Sequence, residues 1–443
     1  MKFVVLLAAV AALSSAASFP GKTEHYRGNQ LIRITVEYEE DLKWLRNIEE
    51  KMNLDFWTDP STIRPVDVMV PRDFTSEFKR MLNKRELYYK VLRQDLQDDV
   101  DNDLAEAMRA LQKKARIGIQ TLDDFDYSIY HPFDEIQQWA TDVANEYSFV
   151  TKFKFGETYE GREIGALEIA APANAMASDP KPVVYFEGGI HAREWISPAT
   201  VMFFTGKLLE MYNNGDADAR RVLGMFDLHI VPSLNGDGYV FTWTDERLWR
   251  KSRQPNPDFG CVGTDLNRNF DAFWGQNGAS PWPCSIVYRG FTPLNNPETT
   301  AVDAHFQALK AAGRVTKVFI DWHSYSQLIL APWSYSSAAE LPAESENQLA
   351  AAAAMAAAMN STNSVAGGYI HGPSARLLYE ASGASNDYGF ASTPAATYTY
   401  VVELRDTGEY GFVLPADQIL PSGEESYDGV IALLDYVINN DYD

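Results

Sequence analysis

The sequence predicts an α/β protein with a mixed, mostly parallel twisted sheet and helices on both faces, preceded by a smaller ferredoxin-like α+β domain. After about residue 130, apolar runs alternate with longer helical stretches, as expected for strands that are buried on both faces. Before that, short strand patterns mix with amphipathic helical spacing in a segment that is rich in charge and lacks cysteine. The length of 443 residues also exceeds one ordinary domain.

The first residues have the order of a secretory signal. Lys2 precedes an apolar run from Phe3 to Leu13, and the small residues Ser15 to Ala17 follow it. We therefore expect residues 1–17 to be a signal peptide, with a signal anchor as the alternative. The run is too short to span a bilayer, and no later segment approaches about 18 uncharged apolar residues. The sequence predicts an exported protein without a membrane span.

The amino-terminal domain contains short elements of both kinds. Alternating or extended patterns predict strands at 30–36, 63–70 and 86–91, and helical spacing predicts helices at 38–52, 71–82 and 96–111. This mixture suits a split βαβ, ferredoxin-like domain. The segment ends at the basic cluster Gln112 to Arg116, which is either a solvated helix end or a proteolytic processing point.

The rest of the chain contains the alternating strands and helices of the larger domain. Its clearest strands are predicted at 183–186, 226–231, 318–321 and 397–402, and its helices at 198–212, 297–312, 345–359 and 422–440. The helix at 345–359 is rich in Ala and Met, which favours a plain helix over disorder. Asn360-Ser-Thr362 after it is a glycosylation sequon, and the sequence leaves its use open.

Cysteine usage and charge limit the environment and the partners. Cys261 and Cys284 are the only cysteines, and in an oxidising compartment they predict one disulfide, with two free buried thiols as the alternative. The formal net charge of −23 argues against nucleic acid or an anionic membrane as a partner, because both require basic surface.

Candidate zinc ligands follow the predicted strands. His191-Ala-Arg-Glu194 comes after the strand at 183–186, and its imidazole and carboxylate have the spacing of two zinc ligands. In open α/β sheets, ligands bind at the carboxyl ends of strands, so His323 is the candidate third ligand. Glu403 follows the next strand and could be the general base, or a structural carboxylate paired with Arg405.

A long series of motifs makes the chain resemble the zinc metallocarboxypeptidases of the pancreatic carboxypeptidase A and B type. The motifs are His191-Ala-Arg-Glu194-Trp-Ile, Asn235-Gly-Asp-Gly-Tyr239, Arg247-Leu-Trp-Arg250-Lys, Gly263-Thr-Asp265-Leu-Asn267-Arg268-Asn269, His323-Ser-Tyr-Ser-Gln327, Tyr379-Glu-Ala-Ser-Gly383 and Glu403-Leu-Arg-Asp-Thr-Gly-Glu-Tyr-Gly-Phe412. They cover roughly residues 119–443. The resemblance implies a secreted proenzyme with an activation propeptide at 18–116 and a catalytic domain at 117–443.

Carried over position by position, the resemblance implies a role for each motif residue. It implies one Zn²⁺ per chain, bound by His191, Glu194 and His323, with Glu403 as general base. Asp265 would receive the second proton of a ligand imidazole, and Arg250 would stabilise the charge that develops on the scissile carbonyl. Other residues would bind substrate: Arg193 and Arg247 at secondary subsites, and Asn267, Arg268 and Tyr379 at the terminal carboxylate.

The residue at the floor of the side-chain pocket departs from the family patterns. The matching position is Asn386, where a member that prefers basic side chains would have an acid and one that prefers apolar side chains an aliphatic residue. The expected wall is uncharged: Leu330, Ser334, Ser374, Leu378, Ala381 and Val401. We therefore predict an A-like preference for apolar, aromatic or broad C-terminal residues. A B-like preference for Lys or Arg is the alternative if the register shifts to Asp387.

The expected partners are peptides and proteins with a free C-terminus, and a trypsin-like protease that activates the zymogen. We expect a monomer in an extracellular compartment such as a digestive lumen. An inactive peptide-binding homologue should have lost a ligand or the base, and neither is missing. A metal-free serine hydrolase is disfavoured because no Gly-x-Ser-x-Gly motif accompanies the histidines.

Overall fold

Sheets of four and eight strands organise the chain. The structure, a computed structural model, describes residues 25–117, 122–362, 367–392 and 395–442. The predicted signal peptide at 1–17 lies outside these residues. Within the described ranges, no helix is both long and apolar enough to cross a membrane.

The amino-terminal domain has the β-α-β-β-α-β order of a ferredoxin-like fold. Its strands are β1 (Gln30–Ile34), β2 (Asp55–Phe56), β3 (Val66–Val70) and β4 (Tyr89–Arg93). Its helices are α1 (Glu39–Met52), α2 (Thr75–Lys84) and α3 (Leu96–Ile117). The strands pair in the antiparallel order β2-β3-β1-β4, which confirms the predicted class of this domain. The basic cluster at 112–116 belongs to the end of α3.

Several boundaries in this domain differ from the prediction, and one strand was missed. The last strand begins at Tyr89 rather than at residue 86, because Glu86 has a φ of 59° in the turn that ends α2. The two-residue strand β2 was not predicted, because two residues carry no periodicity. One face of α1 and one face of α2 pack on the sheet, as the helical spacing predicts, and Leu45 and Phe78 belong to this core.

The eight-stranded sheet is mixed. Its strands are β5 (Val150–Glu157), β6 (Glu163–Ile169), β7 (Val183–Gly188), β8 (Asp227–Val231), β11 (Thr316–Ser324), β12 (Leu328–Ala331), β13 (Ile370–Pro373) and β14 (Tyr398–Leu404), whereas β9 (Pro255–Asn256) and β10 (Cys261–Val262) form a separate pair. The order is β13-β12-β14-β11-β7-β8-β6-β5. The central strands β8, β7, β11 and β14 are parallel, and antiparallel pairs join them to the outer strands.

Helices cover both faces of this sheet. They are α4 (Phe133–Glu146), α5 (Ile196–Asn213), α6 (Ala217–Met225), α7 (Gly236–Thr244), α8 (Pro297–Ala311), α9 (Ser345–Thr362), α10 (Ser374–Leu377), α11 (Ser385–Ala391) and α12 (Ile419–Asp441). Along β7, Val184 and Phe186 belong to one apolar cluster, and Val183 and Tyr185 belong to the other. A continuously apolar strand is therefore buried on both faces, as predicted.

Two local predictions concern the surface of this domain. Cys261 and Cys284 form a disulfide with Cα atoms 5.3 Å apart, which confirms the pairing. Asn360 is exposed near the end of α9, and its Nδ2 donates to the Tyr369 carbonyl oxygen at 2.9 Å. The use of the sequon stays an open prediction.

Candidate active site and metal centre

The candidate site lies where three neighbouring parallel strands end. β11 lies between β7 and β14 in the sheet, so the loop after β7, the end of β11 and the end of β14 meet at one edge. This topology brings His191, His323 and Glu403 together, and His323 is directly opposite Glu403 in the strand register. All three side chains line one cavity with Glu194.

Four atoms of three buried side chains converge in this cavity. His191 Nδ1 lies 2.8 Å from Glu194 Oε1 and 3.1 Å from His323 Nδ1, and His323 Nδ1 lies 3.1 Å from Glu194 Oε2. One potential ligand atom from each residue lies within 4.8 Å of the others. The Ser324 backbone N–H also donates to Glu194 Oε2, which orients the carboxylate.

The electrostatics of this group fit a zinc ion. Burial raises the pKa of Glu194, but the two adjacent imidazoles outweigh this and hold the pKa below its ordinary value. The site therefore offers an ionised carboxylate and two imidazoles in a closely spaced set. Two nitrogens and one carboxylate are a donor set that zinc prefers in sites that keep a position for water or substrate.

Each imidazole turns its other nitrogen toward an aspartate. His191 Nε2 lies 3.0 Å from Asp265 Oδ1, and His323 Nε2 lies 2.7 Å from Asp321 Oδ2. Both aspartates are fully buried. The prediction included Asp265 but gave Asp321 no role, although strand residues two apart face the same side and Asp321 is two residues before His323.

Arg250 lies beside the converging atoms. Its Nη2 and Nε donate to Asp265 Oδ2 at 2.9 and 3.2 Å, and its Nη1 lies 3.7 Å from Glu194 Oε1. Burial disfavours the charged guanidinium, but the adjacent carboxylates outweigh this and raise the pKa of Arg250 above its ordinary value. The site therefore contains a fixed buried cation next to the candidate metal ligands.

Glu403 lies at the end of β14 beside His323 and lines the same cavity. Burial raises its pKa to about 8, although the adjacent His323 acts in the opposite direction. The hydrogen bonds recorded among the described residues leave its carboxylate unbound. The expected alternative, a structural pair with Arg405, is not formed, because Arg405 donates to Glu425 at 2.7 and 2.9 Å.

The candidate carboxylate clamp lines the same cavity. Asn267, Arg268 and Tyr379 all contribute to its wall, and the Arg268 guanidinium lies 5.9 Å from the Tyr379 ring centroid. Gly383 allows the backbone to pass close behind Arg268, because its φ is 74° and a Cβ there would lie 2.3 Å from the Arg268 carbonyl oxygen. The segment after Tyr379 is thereby held against the 3₁₀ turn at Leu266–Arg268.

Asn386, the predicted floor of the side-chain pocket, is fully buried and contacts Ser334, which lines the cavity. Asn386 Oδ1 accepts hydrogen bonds from Ser334 Oγ at 2.8 Å and from the Asp387 backbone N–H at 2.9 Å. The carboxylate of Asp387 is not available to a side chain in the pocket, because its two oxygens accept the backbone N–H groups of Ser334 and Tyr335. Leu330, Ser334, Ser374, Leu378, Ala381 and Val401 line the cavity, so the predicted wall is assembled without a charged side chain.

The amino-terminal domain covers this cavity and pairs with three arginines. Asp55 accepts from Arg193 at 2.7 Å, Asp103 from Arg247 at 2.7 Å, and Asp59 from Arg268 at 3.3 Å. Trp57 and Thr58 line the cavity itself. The three aspartates were not predicted, because 138, 144 and 209 residues separate the partners and no local pattern links them.

A comparison with known families identifies the family of this chain. A family model described as zinc carboxypeptidase matches residues 136–429. The chain belongs to the zinc carboxypeptidase family. A second model, described as carboxypeptidase activation peptide, matches residues 32–103, which include most of the ferredoxin-like domain. The protein is therefore a metallocarboxypeptidase zymogen with an activation peptide, and its cofactor is zinc.

Relatives of both A and B types extend over nearly the whole zymogen. Carboxypeptidase A4 of Mus musculus is 35% identical over 423 residues, which cover 95% of this chain and 96% of that protein. Carboxypeptidase B of Homo sapiens is 33% identical over 426 residues, covering 95% of each chain. The crystal structure of thrombin activatable fibrinolysis inhibitor matches with a TM-score of 0.80 at 30% identity, covering 94% of this chain and 100% of that one.

Proposed function

We propose that the protein is a secreted carboxypeptidase zymogen that, once activated, removes apolar, aromatic or a broad range of C-terminal residues from peptides. The observation that carries this proposal is the single cavity that combines a His-Glu-His group, a free carboxylate and a buried arginine clamp. In this proposal residues 1–17 are the signal peptide, 18–116 the propeptide and 117–443 the catalytic domain.

We assign the zinc-binding role to His191, Glu194 and His323. Their converging atoms and the low pKa of Glu194 support this assignment. When bound, zinc would polarise the scissile carbonyl and lower the pKa of water toward about 7. Asp265 supports this role because it faces the Nε2 atom of His191 and thereby fixes the orientation of the imidazole.

Glu403 acts as the general base in this proposal. Its carboxylate accepts a proton from the attacking water and then gives it to the leaving amine, so that hydrolysis produces a carboxylate and an amine. Its position opposite His323 and its lack of a recorded partner in the described residues support this role. Arg250 supplies positive charge where the carbonyl oxygen becomes negative, and its buried position keeps that charge unscreened.

In this proposal substrate binding depends on Arg268, which lines the cavity, and on Arg193 and Arg247. Arg268, with Asn267 and Tyr379, would bind the free C-terminal carboxylate, because a guanidinium can pair with both carboxylate oxygens. Arg193 and Arg247 would contact substrate at secondary subsites. All three arginines pair with propeptide aspartates in the zymogen, which supports the proposal that the propeptide occupies the substrate-binding surface.

The side-chain pocket supports an A-like preference over a B-like one. A buried ammonium or guanidinium needs a counter-charge, and the carboxylate of Asp387 is already bound to two backbone N–H groups. Asn386 is neutral, and its oxygen has two donors. An apolar or aromatic side chain can enter this pocket without leaving a charge unpaired.

A panel of peptides that differ only in the last residue tests this function. The zymogen would first be treated with trypsin, which we expect to cleave near Lys114 or Arg116. Cleaved protein should release Phe or Leu faster than Lys or Arg, and a zinc chelator should stop the release. Equal activity before and after trypsin would contradict an inhibitory propeptide, and a preference for Lys or Arg would support the B-like alternative.

A further inference from the structure

Asp321 is a buried carboxylate that the proposed mechanism does not use. It lies in β11 two residues before His323, and its side chain is fully buried. Its Oδ2 lies 2.7 Å from His323 Nε2 and accepts a hydrogen bond from Ser385 Oγ at 2.6 Å. In the described part of the chain its Oδ1 has no hydrogen-bond partner. Both hydrogen-bond contacts of the Asp321 carboxylate therefore involve Oδ2, the oxygen that faces the imidazole.

This contact determines which nitrogen of His323 carries a proton. A neutral imidazole has one N–H donor and one acceptor nitrogen, and a carboxylate oxygen accepts. Nε2 must therefore be the donor toward Asp321, which leaves the Nδ1 lone pair directed at the His191 and Glu194 atoms. Asp265 Oδ1 likewise lies 3.0 Å from His191 Nε2 and can accept its proton in a hydrogen bond.

Asn267 cannot replace Asp321 as the acceptor of the Nε2–H group of His323. Its Nδ2 lies 3.2 Å from His323 Nε2, but an amide nitrogen only donates. A flipped amide is disfavoured, because Asn267 Oδ1 already accepts the Ser385 backbone N–H at 2.7 Å. Asp321 is therefore the acceptor for the outer nitrogen of His323.

We propose that Asp321 is a positioning residue that holds His323 in the tautomer and orientation needed to bind zinc. Ser385 in turn orients Asp321 through the hydrogen bond that its Oγ donates to Asp321 Oδ2. Because Ser385 precedes Asn386 at the pocket floor, the same residue connects the side-chain pocket to the metal ligand. This inference rests on the proposed function in one respect, that His323 is a zinc ligand.

Zinc affinity of the intact chain tests the proposal without measuring peptide hydrolysis. Competition with a chromophoric chelator would compare wild type with Asp321→Ala and Asp321→Asn. We expect Asp321→Ala to bind zinc about 10–100-fold more weakly. Asp321→Asn should lose less, because its amide oxygen can still accept from Nε2. The visible spectrum of the cobalt-loaded protein should also change in Asp321→Ala, since His323 would lose the acceptor that orients it.

Asp237→Asn is the matched control. Asp237 is a buried aspartate that binds Thr158, the Glu160 backbone and Arg162, and its hydrogen bonds within the described residues involve no candidate ligand. We expect this variant to lose thermal stability but to keep the zinc affinity of wild type. An equal loss of affinity in Asp237→Asn and Asp321→Ala would overturn the proposal, because general destabilisation would explain both.

Ser385→Ala provides a milder change if Asp321→Ala does not fold. It keeps both Asp321 and His323, and we expect an affinity between those of wild type and Asp321→Asn. Wild-type affinity, within about twofold, in Asp321→Ala would overturn the positioning role, because a lost outer hydrogen bond typically costs more. Where Asp321→Ala does not fold, wild-type affinity in both Asp321→Asn and Ser385→Ala would overturn it. Failure of wild type to bind zinc would instead overturn the proposed function.

Discussion

The guanidinium of Arg268 donates a hydrogen bond to the carboxylate of Asp59 at 3.3 Å, and both side chains are buried. A carboxylate of the propeptide therefore binds the arginine that we assign to the C-terminal carboxylate of substrate. Asp55 and Asp103 pair with Arg193 and Arg247 in the same way. The propeptide thus covers the cavity with side chains whose charge resembles that of the substrate terminus.

Replacing Asp59 should weaken inhibition by the propeptide. Removing one partner of a buried ion pair costs about 3–5 kcal/mol, so Asp59→Asn should raise the activity of the uncleaved zymogen by about tenfold or more. The measurement is hydrolysis of a short peptide ending in Phe before trypsin is added. Asp73→Asn changes an exposed propeptide aspartate and should leave this activity unchanged. Equal activity of the two variants would contradict a role for Asp59.

Replacing Glu403 should separate catalysis from metal binding. Glu403→Gln keeps the shape of the side chain but cannot accept the proton of water, so kcat should fall by about 10²–10⁴-fold. The zinc content of the activated protein, measured by atomic absorption, should stay at about one ion per chain. Full activity in this variant would reject Glu403 as the base.

A charge at the pocket floor should change the preferred C-terminal residue. Asn386→Asp would supply the missing counter-charge, so the ratio of kcat/KM for Lys over Phe should rise by about tenfold or more, equal to about 1.4 kcal/mol. Asp387→Asn should not reverse the wild-type preference, because that side chain faces the backbone of Ser334 and Tyr335. Loss of Lys or Arg cleavage in Asp387→Asn would instead support the shifted register and B-like specificity.

Glu298 should make the folded state less stable as the pH rises. It is fully buried at the start of α8, and burial raises its pKa to about 7. The folded state therefore holds a proton that the unfolded chain has lost, and this stabilisation disappears as the pH rises from about 4.5 to 7. Because one pKa unit corresponds to about 1.4 kcal/mol, the effect is on the order of 3 kcal/mol.

Glu298→Gln should remove that part of the pH dependence. The measurement is the free energy of unfolding in denaturant between pH 4.5 and 8 for wild type and variant. The difference between the two proteins should grow in favour of the variant as the pH increases. Parallel curves would show that Glu298 does not titrate in this range in the folded protein.

The sequence by itself determined the two-domain α/β organisation, the disulfide and the candidate set His191, Glu194, His323 and Glu403. Apolar runs mark strands buried on both faces, and the ends of neighbouring parallel strands meet at one edge of the sheet. Residues that follow those runs can therefore be grouped from the sequence alone. Short or outer strands such as β2 and β13 carried too little periodicity to predict.

Only the tertiary structure decided where side chains point and which distant charges pair. Asn386 and Asp387 are neighbours in sequence, yet one faces the pocket wall and the other the backbone of residues 334 and 335. Asp59 is 209 residues from Arg268, and Asp321 could be linked to Ser385 only after α11 was docked against β11. Such contacts depend on packing between elements far apart in the chain, and local periodicity contains no information about them.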